Sequence, residues 1–336
     1  MTGGFAESRE RELIAEAAKW DTSAVAGATL DDMPVVDLGS YRTSRDATEL
    51  QRLGSQVRWI GENVGFHFLT GHGIPVDVTE AMFAAAREFL TAPDSVKRSI
   101  EIDGPGAPIA GAGYLPIGQR RLPRRAKGNL NEAVLFKQDR ALRLADNAWP
   151  DPAVFPLFRP AVEDYAAAIE SVALELVPIY AKALDLPADF FDPAFASPFS
   201  RLRMTRYKPV ESTDHDDFGI APHVDTTFFT LLAQDQPGLT IFGEQQQTWL
   251  AAPVVPGALV VNTGELLRQW SNDRFVSVKH FVPPHQGTSD RYSIPFFFNA
   301  TADYPMTCLP TCTSPDNPPK YPTVSYLESQ AAAQGE

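Results

Sequence analysis

The sequence predicts a mainly β core, a sandwich or barrel of short strands, preceded and flanked by helices. From residue 199 onward, short β-branched and aromatic runs recur between turn residues, the texture of a sandwich or barrel rather than of alternating βαβ units. Before residue 199, apolar residues recur at three- and four-residue steps, the signature of amphipathic helices. The two textures are segregated along the chain, and no internal repeat joins them.

Taken in order, residues 7–19 carry Leu13, Ile14 and Ala17 at helical spacing and read as an N-terminal surface helix. Met33-Pro34-Val35-Val36-Asp37-Leu38 reads as the first strand. Leu50, Leu53, Val57 and Ile60 place an amphipathic helix over 48–63. Gly65-Phe66-His67-Phe68-Leu69 is then a strand, Gly71-His72-Gly73-Ile74-Pro75 a turn, and 78–90 a second helix. Residues 104–125, rich in Gly, Pro and Arg and without period, predict a long loop or lid; such loops are functional or mobile. Residues 161–184 form a long, mostly apolar helix, interrupted or kinked near Pro178. Strands follow at 201–207, 227–233, 239–242, 249–251, 258–261, 276–282 and 292–298.

A chain of 336 residues buries roughly 75% of its unfolded surface, ample for one elaborated catalytic domain. The formal net charge of -13 argues against a nucleic-acid partner, because neutralising phosphates needs a dominant basic face. Small-molecule chemistry is the better expectation. Cys308 and Cys312 are the only cysteines, too few for a disulfide framework or a structural zinc site, and compatible with a reducing cytoplasm. No apolar run is long enough to cross a bilayer, and the first nineteen residues lack a signal-peptide core.

The chemistry lies between His223 and Ser293. His223-Val224-Asp225, then His280, then Arg291-Tyr292-Ser293 have the spacing of one iron site with a carboxylate clamp beside it. Two His and one carboxylate on one face of a metal leave the opposite positions open, as oxygen-activating Fe(II) sites require. His-x-Asp alone is weak evidence, and His215-Asp216-Asp217 is a decoy in an acidic, turn-like segment. His223 and Asp225 instead lead into an apolar strand, where residues two apart lie on one side, about 6.6 Å apart. If the strands at 276–282 and 292–298 form a hairpin pairing Val282 with Arg291, then His280 pairs with Ser293 and all three side chains share a face. Arg291 suits an anion clamp, since its planar fork binds a carboxylate through two hydrogen bonds.

These residues carry a resemblance. Residues 219–232, Gly238 to Phe242, Val260-Val261-Asn262-Thr263-Gly264-Glu265, Trp270-Ser271-Asn272-Asp273-Arg274-Phe275 and Arg291-Tyr292-Ser293-Ile294-Pro295-Phe296-Phe297 together resemble the Fe(II)/2-oxoglutarate-dependent dioxygenases, in the isopenicillin N synthase-like branch. Residues 66–75 are similar to that family's N-terminal motif. The resemblance implies an α+β fold with a mainly β core, a distorted double-stranded β-helix or jelly roll flanked by helices, with a helical and mixed N-terminal region. It implies Fe(II) on His223, Asp225 and His280, and 2-oxoglutarate with its distal carboxylate on Arg291 and Ser293 and near Tyr207. Thr205 stands where the family has Asn, Phe281 where Arg commonly follows the distal His, and Glu265 where Asp is common. Asp225 itself favours hydroxylation, desaturation or ring formation over halogenation, with 2-oxoglutarate and dioxygen converted to succinate and carbon dioxide.

The organisation expected is an N-terminal extension (1–33), an N-terminal dioxygenase region (34–160) with a lid loop at about 104–128, a long helix and connector (161–198), the β-helix core (199–300) and a C-terminal segment (301–336). The partners expected are a small organic substrate and dioxygen, with no nucleic acid and no membrane. Two other functions fit the same residues: an isopenicillin N synthase-type oxidase that uses no 2-oxoglutarate, and a non-catalytic β-helix module that binds metal or ligand. Alternation puts Phe297 on the face of Arg291 and Ser293 as a candidate lining of the substrate pocket, with Phe229 the second candidate. Arg120, Arg121, Arg124, Arg125 and Lys127 form a basic run, either a solvated face or a guide for an anionic substrate. His72 reads as a turn former, and His67 and His285 are given no ligand role.

Overall fold

The computed structural model describes residues 22, 24–105, 107–119, 127–211, 213–214 and 216–334; the helix expected over 7–19 lies outside them, as do His215 and Arg120, Arg121, Arg124 and Arg125. Among the described residues, thirteen strands form two sheets. They are β1 (Val25–Gly27), β2 (Val35–Asp37), β3 (Phe66–Thr70), β4 (Gly113–Leu115), β5 (Glu132–Gln138), β6 (Phe199–Tyr207), β7 (Ile220–His223), β8 (Phe229–Gln234), β9 (Thr240–Gly243), β10 (Thr248–Ala251), β11 (Leu259–Thr263), β12 (His280–Val282) and β13 (Arg291–Asn299). The larger sheet runs β2-β3-β11-β8-β13-β6-β5-β4 and the smaller β1-β10-β9-β12-β7. The expected double-stranded β-helix is present.

Alternation along the strands of the larger sheet sorts its residues between two environments. Tyr292, Ile294, Phe296 and Phe298 of β13, Phe229, Leu231 and Ala233 of β8, and Leu202 and Met204 of β6 pack with the helices in one core. The intervening residues face the space between the sheets. Phe66, Phe68 and Val260 from the larger sheet and Ile241, Trp249 and Phe281 from the smaller belong to a second core.

The helices answer to the same core. In the helix Ala47–Asn63, Leu53, Val57 and Ile60 are buried at four- and three-residue steps, and the Asp46 side chain caps its start by accepting from the Thr48 amide at 2.8 Å. It crosses the long helix Phe158–Ala183 so closely that a Cβ on Gly54 would lie 2.6 Å from the Lys182 Cβ. That long helix continues unbroken through Pro178, so the expected interruption is absent. Val177, Ile179 and Tyr180 are buried around it, and tertiary packing outweighs the one backbone hydrogen bond that proline removes.

Four expectations need correction. The hairpin between 276–282 and 292–298 does not form: His280 pairs with His223 and Ile241 in the smaller sheet, while β13 pairs with β6 and β8 in the larger. Pro283 and Pro284, which have no amide hydrogen to extend a ladder, end β12, and the chain crosses to the other sheet. Residues 276–279 are not strand either; the Val276 amide donates to Gly61 O at 2.7 Å. The segment read as a structureless lid contains β4, whose Tyr114 pairs with Val134 of β5, a strand the apolar pattern did not reveal. There the Tyr114 hydroxyl donates to Glu132 Oε2 at 2.6 Å, and the same oxygen receives Lys97 Nζ at 2.6 Å in a buried pair. Finally, β7 ends at His223, so Asp225 lies beyond the strand.

His67, on the helix-facing side of β3, is 1% exposed with no partner at Nε2, and burial pushes its imidazole from 6.5 down to about 3. A depressed histidine pKa means that the fold holds the neutral ring. Its stabilising share is complete above pH 6.5 and is lost as pH falls toward 3. Lowering the pH from 7 to 5 should therefore remove about 2 kcal/mol through this residue. Urea unfolding of His67→Leu should show a correspondingly smaller loss over that interval; equal losses in both chains would refute the assignment.

Candidate active site

The register between β7 and β12 places His280 directly opposite His223, with ring centroids 4.3 Å apart. Asp225 follows two residues later, in the turn whose carbonyl receives the Glu265 amide at 2.7 Å. His223 Nε2 lies 3.6 Å and His280 Nε2 3.7 Å from the same oxygen, Asp225 Oδ1. Each ring is oriented from behind: His223 Nδ1 faces Ala221 O at 2.9 Å and His280 Nδ1 faces Val278 O at 3.1 Å. With those nitrogens donating, both Nε2 lone pairs point inward. The ring of Phe66 packs edge-on against His280.

The carboxylate is fixed in the same manner. Asp225 Oδ2 accepts from Thr230 Oγ1 at 2.8 Å and from Asn262 Nδ2 at 3.0 Å, leaving Oδ1 toward the histidines. Burial acts to raise the Asp225 carboxyl, but His280, His223 and the Asn262 hydrogen bond together hold it well below the usual carboxylate range. Burial, aided by His223, pushes the His280 imidazole down to about 4, so at neutral pH its nitrogen is a lone-pair donor. Two imidazole nitrogens and one ionised carboxylate converge within 4.8 Å, a donor set that fits one divalent cation bound on one face. The second acidic cluster, Asp214, Asp216 and Asp217, is occupied by Lys127 Nζ at 2.6, 2.8 and 3.0 Å.

Arg291 opens β13 and is 1% exposed. Its Nε donates to Gln236 O and its Nη2 to Gln234 Oε1, each at 3.1 Å, while Nη1 has no partner. No carboxylate of the described residues lies within 4.0 Å of it, so neutral acceptors alone hold a buried cation. Leaving such a charge without an anion costs several kcal/mol. Tyr207, opposite Arg291 in the β6–β13 register, places its ring 4.7 Å from the guanidinium carbon. Ser293 lies buried on the same face. Gly238 makes room, because a Cβ there would lie 2.7 Å from Arg291 Nε. An unpartnered guanidinium nitrogen beside a tyrosine and a serine fits the distal carboxylate of a dicarboxylic acid.

Two adjoining hollows, about 510 Å³ and 660 Å³ with their mouths included, meet at His223 and Asp225. The first brings together all six expected residues: His223, Asp225, His280, Arg291, Ser293 and Tyr207. Phe297 lines both, as expected, whereas Phe229 does not line either: it is fully buried against Tyr180 and Phe298 on the helix side of β8. Alternation is the reason, since Thr230 and Leu232 take the inward positions of that strand. His72 Nε2 meets Gly257 O at 2.9 Å and its Nδ1 accepts from the Ile74 amide at 3.2 Å, the turn role expected. His285 meets Ser289 O.

Sequence reasoning passed over Thr230, Asn262, Gln234 and Gln236, which orient Asp225 and Arg291. It also passed over Asn129, Arg201 and Arg203, which line the second hollow. A signal for the arginines was present: in Arg201-Leu202-Arg203-Met204-Thr205-Arg206-Tyr207 the odd positions alternate with apolar Leu202 and Met204.

Comparison with known proteins bears on this arrangement. Residues 198–300 match the model of the 2OG-Fe(II) oxygenase superfamily, and residues 33–152 that of the N-terminal region of the non-haem dioxygenases in morphine synthesis. The 2-oxoglutarate-Fe(II) type oxidoreductase hxnY of Emericella nidulans is 31% identical over 309 residues, covering 87% of this chain and 86% of the relative. The kihadalactone A synthase LFS of Citrus sinensis is 32% identical, covering 90% and 92%. Among solved structures, a full-length Neurospora crassa protein in complex with alpha-KG superposes with a TM-score of 0.79 at 21% identity, covering 93% of this chain and 99% of that one. A putative 2OG-Fe(II) oxygenase family protein from Caulobacter crescentus gives 0.76 at 27% identity, covering 90% and 97%.

Proposed function

This chain belongs to the 2-oxoglutarate- and Fe(II)-dependent oxygenases, and on that premise we propose that His223, Asp225 and His280 hold the iron while Arg291, Ser293 and Tyr207 hold the distal carboxylate of 2-oxoglutarate. The enzyme converts 2-oxoglutarate and dioxygen to succinate and carbon dioxide as it oxidises a small organic substrate. The observation that carries the residue assignment is the buried, incompletely partnered Arg291 in the hollow that also holds the three donors.

Bound iron supplies the dioxygen activation that this oxidation requires. The protein contributes position and charge. The backbone carbonyls behind His223 and His280 hold both rings in one tautomer, and Thr230 and Asn262 turn Oδ1 of Asp225 inward. Arg291 and Ser293 set how far 2-oxoglutarate reaches from the clamp toward the donors. Phe66, Leu232 and Leu239 line the same hollow with apolar surface.

The organisation proposed is the one the sequence suggested, with the catalytic residues carried by 199–300 and the segments 34–160 and 161–198 packed on that core. Among the described residues, no helix is long and apolar enough to cross a membrane. A cytoplasmic location is part of the proposal, supported by the free thiols of Cys308 and Cys312.

Truncating one partner of a buried charge pair costs roughly 2 to 5 kcal/mol. Arg291→Ala should therefore weaken 2-oxoglutarate binding by about thirtyfold or more, followed anaerobically through the visible charge-transfer band of the Fe(II) chelate. Unchanged 2-oxoglutarate dependence in this variant would remove Arg291 from the clamp. Replacing Asn262 by Leu takes one donor from Asp225, and outer-shell losses of this type lower metal affinity by about 10- to 100-fold. Equilibrium dialysis against Mn(II) should register that drop with the fold intact by circular dichroism; wild-type affinity would count against Asp225 as a ligand.

A further inference from the structure

The second hollow differs from the first in charge and in its place along β6. Four residues of that strand face the space between the sheets: Arg201, Arg203, Thr205 and Tyr207. Tyr207 lies at the Arg291 end. At about 3.3 Å per residue, Arg201 is about 20 Å along the strand from it, too far to share the carboxylate held by Arg291. The second hollow nevertheless includes His223 and Asp225 in its wall, so whatever fills it touches the donor cluster.

Arg201 is set in that wall without an anion. Its Nε is buried with no hydrogen-bond partner, and no carboxylate of the described residues lies within 4.0 Å of it. Its guanidinium carbon sits 5.3 Å from the ring centre of Phe297, its partner across the β6–β13 ladder. Its partner across the β5 ladder is another cation, Lys137, whose Nζ donates to Ala110 O at 2.6 Å. Burial, then the nearby Arg201, lowers the Lys137 pKa, which is the direction expected where positive charge accumulates. Arg203, two residues along the same face, is 3% exposed and donates from Nη2 to Asn131 Oδ1 at 2.6 Å. The rest of the lining includes Leu135, Ile220, Pro295 and Phe297, which are apolar, and Asn129.

We propose that the substrate is a small carboxylic acid with an apolar body, its carboxylate seated on Arg201 at the far end of the second hollow and a C–H bond presented beside His223 and Asp225. This deepens the oxygenase reading and rests on it. A planar guanidinium offers a carboxylate two parallel hydrogen bonds, and the Phe297 ring, 5.3 Å from the guanidinium carbon, adds a cation–π contact that helps to hold it. An amide or ester of the same body would leave this half-buried cation, with its buried Nε, facing no anion, so the site discriminates by charge as well as by shape.

The test uses the anaerobic enzyme loaded with Mn(II) and saturating 2-oxoglutarate, so that Arg291 is already engaged. Isothermal titration then compares matched acids and primary amides: phenylacetate, 3-phenylpropanoate, indole-3-acetate, nicotinate and octanoate, each with its amide. The acids should bind at least tenfold tighter than their amides. Arg201→Gln should abolish that preference while shifting the 2-oxoglutarate Kd by less than twofold, and Arg201→Lys, which keeps the charge and controls for folding, should restore part of it. Acids that bind no tighter than amides, or a preference that survives in Arg201→Gln, would overturn the proposal. Absence of the 2-oxoglutarate chelate band in the wild-type Fe(II) enzyme is a separate failure, that of the iron site on which the proposal rests.

Discussion

The site depends on one constraint: the two-residue alternation of the strands in the larger sheet. Because Tyr292, Ile294, Phe296 and Phe298 are required by the helical core, Arg291, Ser293, Pro295 and Phe297 are obliged to face the other sheet. The same division on β8 sends Phe229, Leu231 and Ala233 to the helices, and Thr230, Leu232 and Gln234 inward. Hydrophobic packing on one face thus positions polar chemistry on the other. A one-residue slip of β13 would exchange the two sets entirely, placing a guanidinium in the helical core and three aromatic rings in the cavity. Register is therefore protected by the whole area buried beneath the helices and not by the site itself.

Buried charge in this protein falls into two kinds. Lys97 and Glu132 meet each other, Tyr114 adds a hydroxyl and Arg206 a second cation at 3.1 Å, so that cluster is internally compensated and serves the β4–β5–β6 edge. Arg268 is likewise engaged by Glu265, Asp273 and Tyr321, which tie the helix Glu265–Trp270 to the chain beyond 300. Arg291, buried, and Arg201, half-buried, are different in that the groups around them are neutral or cationic. Asp225 is the mirror case, a carboxylate ionised by histidines and amide donors while one oxygen remains directed into space. Incomplete compensation, more than burial, separates the groups proposed to take a ligand from those that hold the fold.

Much of this was legible in the sequence. The helix Ala47–Asn63 followed from its apolar steps, the turn at Gly71 and Gly73 from glycines that adopt positive φ, and the convergence of His223, Asp225 and His280 from their types and spacing. The common face of His280 and Arg291 was anticipated for a wrong reason. They do not belong to one hairpin; they look at each other across the interior from different sheets, and which sheet a strand joins is decided by distant partners such as Ile241 and Tyr207. Local pattern cannot report that. Strand alternation was applied to His223 and Asp225 although only His223 lies in a strand, and Phe229 was expected in the pocket and lies in the core. β5 escaped notice because its buried Glu132 looks like a surface residue until Lys97, 35 positions earlier, is brought beside it.

The strand that carries His223 is a short one at a sheet edge. β7 has four residues, forms the edge of the smaller sheet and pairs only with β12, in a register that shifts between His280 and Val282. Two of the three donors therefore sit on a junction held by few ladder hydrogen bonds. A cation held as proposed by His223, Asp225 and His280 would bridge that junction, and its binding free energy would then also be closure energy for the edge. The metal-free and metal-bound proteins differ, on this view, in how often the smaller sheet opens at β7. On the proposed assignment the cofactor would act as a clasp on this edge of the fold as well as the centre of its chemistry.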